Sequence, residues 1–216
     1  PMSIGLSPNG VTLAIGLNNS SVLLYNTSTL AIEAWGLIPA TPYDWVTALR
    51  WSPDGTMLAV RASDGKLRIL DASLGPLVNF SQQSEGPIEW AQINGTLSAV
   101  TQGSIGISGI ALWHLNGTVE PLTGQFYYSY GDGTWTMWPD GRFLAIQAPF
   151  DDQIARLFAS PDFGRNPSVV AHVGEFGDSG VAANWWTGEF ATFGGASQIT
   201  FWRANGTPFA ELPIQE

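Results

Sequence analysis

Apolar residues come in short runs, and eight Asn-Gly or Asp-Gly signals, three of them preceded by proline, punctuate the runs. No window of 11 or more residues carries apolar positions at a helical period between caps, so the runs predict strands. The pattern also repeats. "SPNGVTLAI" at 7–15 returns as "SPDGTMLAV" at 52–60, "INGTLSAV" at 93–100, "WPDGRFLAI" at 138–146 and "WWTGEFATF" at 185–193. The anchoring glycines are Gly10, Gly55, Gly95, Gly141 and Gly188, spaced by 45, 40, 46 and 47. A second column lies in the next strand: Tyr25, Leu70, Trp113, Phe158 and Trp202, spaced by 45, 43, 45 and 44. Two columns at one period define five repeats, over 1–45, 46–87, 88–132, 133–180 and 181–216.

Each repeat reads as four antiparallel strands. In the second, these are "VTALRWS" (46–52), "TMLAV", "KLRIL" and the weaker "GPLVNF" (75–80). Glycine sits where tight turns require positive φ. The small Ala14, Ala59, Ala99 and Ala145 mark points where neighbouring sheets approach closely, with Thr192 in the fifth place. An all-β chain with a period near 44 and four strands per repeat predicts a single β-propeller of five four-stranded blades.

The segments "LRWSPDGTMLAVRASDGKLRILDAS", "GIALWHLNGTVEPLTG" and "ITFWRANGTPFAEL" resemble the WD-repeat propeller family, and the resemblance covers essentially the whole chain. It implies a toroidal scaffold that binds protein partners on its faces, usually without catalysis. The Trp-Asp pair of that family is intact nowhere: Leu70-Asp71, Trp113-His114 and Trp202-Arg203 each keep one member at most. The family's buried Asp–His–Ser/Thr–Trp hydrogen-bond network is therefore not expected. The chain starts on a first strand ("MSIGL") and ends on a fourth ("TPFAEL"), leaving none for an interleaved closure. Three readings stay open: closure by face packing, membership of a larger ring, or contact between copies.

Composition narrows the partners. The 216 residues carry 8 Lys+Arg against 18 Asp+Glu, a formal charge of −10, with Lys66 the sole lysine. Such a chain offers no basic patch for nucleic acid or for anionic membranes. No apolar run reaches the roughly 18 residues of a membrane span, and Pro1 to Leu6 is too short for a signal peptide. The absence of cysteine excludes disulfides, thiolate metal sites and cysteine nucleophiles. No metal or cofactor is expected.

Catalytic candidates are few. Asp44, Glu89, Asp132 and Asp178 sit at comparable points of four repeats. Two of them about 5–10 Å apart would suit glycoside hydrolysis, while solvated turns explain them as well. Asp54, Asp64 and Asp140 precede glycine in turns, and Asp151-Asp152 lies in a loop without a calcium-site pattern. His114 takes the place of the family's Asp, and His172 ends a strand. Neither has a Gly-x-Ser-x-Gly elbow.

Aromatics mark the candidate binding surface. Trp51, Trp90, Trp113, Trp138, Trp185 and Trp202 fall in repeat columns and read as core. The connection "TGQFYYSYGDGTW" (123–135) instead carries Phe126, Tyr127, Tyr128 and Tyr130, and "WGLIPATPYDW" (35–45) carries Trp35, Tyr43 and Trp45. Loop tyrosines on a rigid scaffold suit contact with proteins or sugars, or fold back over a channel mouth. A lectin-like propeller that binds glycans is thus the alternative to a protein scaffold.

Asn-x-Ser/Thr sequons occur at Asn18, Asn19, Asn26, Asn79, Asn94, Asn116 and Asn205, seven of ten asparagines. Chance placement of the 34 Ser and Thr predicts roughly 1.6. Asn-Gly-Thr is also a good hairpin turn. The excess points to an extracellular or cell-surface glycoprotein, with a cytoplasmic scaffold as the alternative. The reading is a non-catalytic protein that binds partners, or copies of itself, through ring faces and loops.

Overall fold

The Ser-Pro-Asn/Asp-Gly turns close the first hairpins of two repeats with one set of bonds. In the computed structural model, Ser7 Oγ donates to Asn9 Oδ1 (2.8 Å) and accepts from the Thr12 amide (2.9 Å). One repeat on, Ser52 Oγ donates to Asp54 Oδ1 (2.6 Å) and accepts from the Met57 amide (2.9 Å). Gly10 and Gly55 take φ of 74° and 72°, the left-handed region the turn requires. The structure describes residues 2–41, 43–93, 95–103, 110–121, 135–137, 143–147, 153–158, 169–174, 180–184, 187–194 and 198–213.

These residues form strands β1 (Ser3–Leu6), β2 (Thr12–Gly16), β3 (Ser21–Asn26), β4 (Ile32–Leu37), β5 (Val46–Trp51), β6 (Met57–Ala62), β7 (Lys66–Asp71), β8 (Pro76–Ile93), β9 (Thr96–Gly103), β10 (Ile110–His114) and β11 (Val119–Pro121). They continue with β12 (Trp135–Met137), β13 (Phe143–Gln147), β14 (Gln153–Phe158), β15 (Val169–Gly174), β16 (Gly180–Ala183), β17 (Phe190–Gly194), β18 (Gln198–Trp202) and β19 (Pro208–Pro213). Sheets β1–β4, β12–β15 and β16–β19 are four-stranded antiparallel meanders, and β5 to β11 form one seven-stranded sheet. The all-β expectation holds among the described residues. One strand differs from the sequence reading. β8 runs unbroken through the expected repeat boundary at 87–88. Gly86-Pro87 lies within it, with Gly86 at φ 67°, and the burial of Phe80, Ser84, Ile88 and Trp90 on either side of this dipeptide carries the strand across.

The residues fall into two compact units: Pro1–Trp90 with Leu97–Pro121, and Ala91–Thr96 with Leu122–Glu216. In the first, two apolar clusters flank β5–β7. One joins Ala14, Val22 and Leu24 of the first sheet to Val46, Leu49, Trp51, Leu58 and Leu70. The other joins Ala59, Leu67 and Ile69 to Phe80, Trp90 and Trp113. Small residues let the sheets approach. A Cβ on Gly5 would lie 2.6 Å from Leu49 Cδ1, and one on Gly16 would collide with the Val46 side chain. Trp51 Nε1 donates to Gly5 O (3.1 Å), and Trp90 Nε1 donates to Arg50 O (3.1 Å). The same kind of indole bond thus recurs one repeat on, from β5 to β1 and from β8 to β5. Trp138 and Trp185, from the same columns, lie outside the described residues.

In the second unit, β16 lies against β12 and β13. Phe190 and Trp202 are buried and stacked, with centroids 5.9 Å apart and planes 9° apart. Trp202 Nε1 donates to Thr192 Oγ1 (2.8 Å). This Ser/Thr–Trp limb of the WD-repeat network forms although the Trp-Asp pair is broken, because Thr192 stands where the other four repeats carry alanine.

Candidate interaction surface

The connection from β4 to β5 is pinned by side-chain hydrogen bonds from Ser20, Ser63 and Arg68. Ile38, 4% exposed, anchors its start. Ser20, at φ 59°, donates through Oγ to the carbonyls of Thr41 (3.1 Å) and Asp44 (2.8 Å). Asp44 Oδ2 accepts from the Thr41 amide (2.8 Å) and hydroxyl (2.7 Å), and its Oδ1 accepts from Ser63 Oγ (2.7 Å). The Trp45 amide donates to Ser63 Oγ (3.3 Å).

Arg68 fastens the connection from below. Its side chain sits in β7 among apolar neighbours and is 3% exposed as a residue. Nη1 and Nη2 form a bidentate pair with Asp64 (3.1 and 2.6 Å). Nη1 also donates to Lys66 O (2.9 Å) and Nη2 to Pro39 O (2.7 Å). Both terminal nitrogens of the guanidinium are thus engaged, as a buried charge requires. Hydrogen bonds from Ser63, then Thr41, hold the Asp44 carboxyl below its ordinary range, and the Arg68 charge adds to this. At Asp64, burial pushes the carboxyl up, but the Arg68 hydrogen bond and the Lys66 amide outweigh it.

This frame displays two aromatics. Tyr43 is 88% exposed and Trp45 42%. Trp35 belongs elsewhere: it is in β4, opposite Leu23 on a sheet face, and 58% exposed. Phe126, Tyr127, Tyr128 and Tyr130 lie outside the described residues. Ser20, Ser63 and Arg68 were missed as positioning residues. The one available signal was a cation inside the apolar run of "KLRIL".

The acid candidates do not converge among the described residues. Asp44 is held as a carboxylate, the wrong state for a general acid at neutral pH. Glu89 is buried and lies 3.1 Å from Arg50 Nη2. Asp132 and Asp178 lie outside the described residues. His114 bridges strands: Nδ1 is 2.8 Å from Ser98 Oγ of β9, and Nε2 is 3.2 Å from Glu120 Oε2 of β11. Among the described residues, no group of three or more His, Asp or Glu is placed to hold a metal ion, and no helix is long and apolar enough to cross a membrane.

The sequons divide by geometry. Asn116 Oδ1 accepts from the amide (3.0 Å) and hydroxyl (2.7 Å) of Thr118, and Asn205 Oδ1 accepts likewise from Thr207 (3.1 and 2.8 Å). Asp54 makes the same pair of bonds with Thr56 (3.0 and 2.8 Å). Aspartate accepts no N-glycan, so turn chemistry is sufficient reason for Asn-Gly-Thr at these positions. Asn26 Oδ1 accepts from the amides of Ser28 and Thr29, and its Nδ2 donates to Glu33 (2.9 Å). Asn18 and Asn19 are exposed in the β2–β3 turn, where Asn19 accepts from the buried Ser21 hydroxyl. Asn79 is exposed on β8, opposite Arg68. Asn94 lies outside the described residues.

The chain is similar to known propellers. Residues 4–93 match the family described as the anaphase-promoting complex subunit 4 WD40 domain. No curated protein sequence matches. Among solved structures, the RRP9 WD40 repeats align with TM-score 0.71 at 15% identity, covering 98% of this chain and 66% of that one. The C-terminal WD40 domain of Sif2 aligns with TM-score 0.66 at 20% identity, covering 98% and 60%. A chain of a mitotic checkpoint complex aligns with TM-score 0.66 at 16% identity, covering 98% and 63%. The chain therefore spans less than two thirds of the length of these solved chains. The repeated turns, the antiparallel sheets, the buried Trp202–Thr192 bond and these alignments together give the chain a WD-repeat-like β-propeller fold.

Proposed function

We propose that the chain is a non-catalytic scaffold that takes a protein partner on the β4–β5 connection, with Tyr43 and Trp45 as its contact residues. The carrying observation is the frame of Ser20, Asp44, Ser63 and Arg68 that holds this connection while Tyr43 projects into solvent. A connection already ordered loses little conformational entropy on binding, and exposed Tyr and Trp supply large contact area with few rotatable bonds. The net charge of −10 favours partners with basic contact faces. The WD-repeat resemblance supports a protein partner. Self-association and the blade count of five belong to the same proposal.

The test is capture of partners from the native source with the chain and with Tyr43→Ala/Trp45→Ala, followed by titration of the captured partner. The variant is expected to bind about thirtyfold more weakly, equivalent to roughly 2 kcal/mol, with an unchanged thermal midpoint. Equal binding by both proteins overturns the reading. The sequon excess supports a second reading, an extracellular glycoprotein, in which the exposed Asn18 and Asn79 lack the Asx-turn explanation of Asn116 and Asn205. Intact mass of native material before and after deglycosylation tests it.

A further inference from the structure

Four Asn-Gly pairs occur in the chain, at 9–10, 94–95, 116–117 and 205–206. Asn-Gly carries a reaction of its own. The glycine amide nitrogen attacks the asparagine Cγ, a C–N bond forms, and the side-chain amide leaves as ammonia. Water then opens the resulting succinimide at either carbonyl, giving aspartate or isoaspartate. Glycine favours the attack because it has no Cβ to obstruct the approach. The attack needs a glycine nitrogen that can lose its proton and a carboxamide that is free to turn toward it.

The fold withholds both at three of the pairs. Gly10 N donates to Ser7 O (2.9 Å), Gly117 N to His114 O (2.9 Å) and Gly206 N to Arg203 O (2.8 Å). A hydrogen-bonded amide gives up its proton only when the bond opens. The carboxamides are clamped as well. Asn9 Oδ1 accepts from Ser7 Oγ (2.8 Å) and from the Val11 amide (3.0 Å). Asn116 Oδ1 and Asn205 Oδ1 each accept from the amide and hydroxyl of the threonine two residues on. All three asparagines are exposed, so hydrogen bonding rather than burial restrains them. Every one of these bonds lies inside a single hairpin, so each turn stands by itself. Asn94 lies outside the described residues.

We infer that Asn9, Asn116 and Asn205 are deamidation sites gated by the opening of their own hairpins. They are inert while the turn is closed and reactive once its bonds part. The two products act differently on the fold. Aspartate fits the turn: Asp54 makes the same two bonds with Thr56, and Gly55 N donates to Ser52 O (2.9 Å). Isoaspartate adds a methylene to the main chain, which breaks the strand register that the turn sets. A chain that has been open therefore acquires a covalent record, and part of that record prevents its return. None of this depends on the function proposed above.

The test uses unglycosylated chain, incubated at one pH and temperature in buffer and in urea above the unfolding midpoint. Peptide mapping by mass spectrometry follows the exchange of amide for acid at each site, and chromatography separates aspartate from isoaspartate. Each site is expected to react at least about tenfold more slowly in buffer, equivalent to about 1.4 kcal/mol. Equal rates in the two conditions overturn the inference. Thr118→Val removes one of the two bonds to Asn116 Oδ1 and leaves Asn205 as a control in the same molecule. In buffer, Asn116 is expected to react about threefold faster than in the parent chain, with Asn205 at its former rate and circular dichroism unchanged. An unchanged Asn116, or equal quickening at both sites, overturns the clamp. The urea-treated chain is then refolded and fractionated by size. Folded chain is expected to retain aspartate at the three sites and to be depleted of isoaspartate. Equal isoaspartate in the folded and aggregated fractions overturns the effect on the fold.

Discussion

The Trp51 indole N–H donates to the Gly5 carbonyl at 3.1 Å, tying β5 to β1 across a sheet–sheet interface. Gly5 permits this because a Cβ there would lie 3.8 Å from Trp51 Cδ1 and inside the Leu49 side chain. Trp51→Phe keeps the packing class but removes the donor and leaves a carbonyl without its partner. The expected loss is about 1–2 kcal/mol, read as a lower urea midpoint with an unchanged slope. Trp90→Phe, which strips the equivalent bond to Arg50 O, is expected to cost a similar amount. A loss near zero for both would show that the indoles act by shape alone.

Trp202 and Thr192 provide the corresponding test in the second unit. Thr192→Val preserves shape and β-propensity while leaving a buried indole N–H unsatisfied. The expected cost is about 1–3 kcal/mol, measured by thermal or urea unfolding. The reverse comparison is Ser98→Ala, which leaves His114 its second contact with Glu120. That contact is more exposed, so the cost is expected to be smaller.

The turn glycines and the apolar columns made the strands legible, because tight turns and period-two burial are local in sequence. Ser7 with Asn9 and Ser52 with Asp54 show how directly "SPNG" and "SPDG" encode a closed hairpin. The continuity of β8 was less legible. Its Gly-Pro at 86–87 reads as a break, yet the burial of Phe80, Ser84, Ile88 and Trp90 overrides it through packing. The frame around Tyr43 was illegible for a related reason. Ser20, Asp44 and the Ser63–Arg68 hairpin are about 20 residues apart in the chain, and only the fold brings their polar atoms together. Trp35 read as part of the connection because the end of an exposed fourth strand carries no turn signal of its own.

Arg68 is the charge on which the β4–β5 connection rests. Arg68→Met fills most of the same space but abandons Asp64, Pro39 O and Lys66 O together. Breaking one side of a buried pair is expected to cost about 3–5 kcal/mol. Arg68→Met/Asp64→Leu removes both charges and is expected to recover part of that loss. Unfolding midpoints measure this, and the single variant should also increase proteolytic nicking near Tyr43. Equal stability of Arg68→Met and the parent chain would show that the connection does not depend on the guanidinium.

Acid should weaken the fold through the same carboxylates. Asp44 and Asp64 are lowered from 3.8 for the reasons given above, and Asp54 is lowered too. At Asp54, burial opposes ionisation, but hydrogen bonds from Ser52 and Thr56 prevail. A carboxyl with a folded pKa below its unfolded value contributes stability that is present above the unfolded value. That contribution is lost as pH falls toward and through the folded one. Urea midpoints are therefore expected to be level from about pH 7 to 5 and to fall below about pH 4. Asp54→Asn separates charge from turn geometry. Asparagine already serves the same role at Asn9, Asn116 and Asn205, so the variant is expected to retain its hairpin. It should lie within about 1 kcal/mol of the parent at neutral pH and lose a share of the acid sensitivity. An acid limb as steep as the parent's would mean that Asp54 is not among the groups whose protonation loosens the fold.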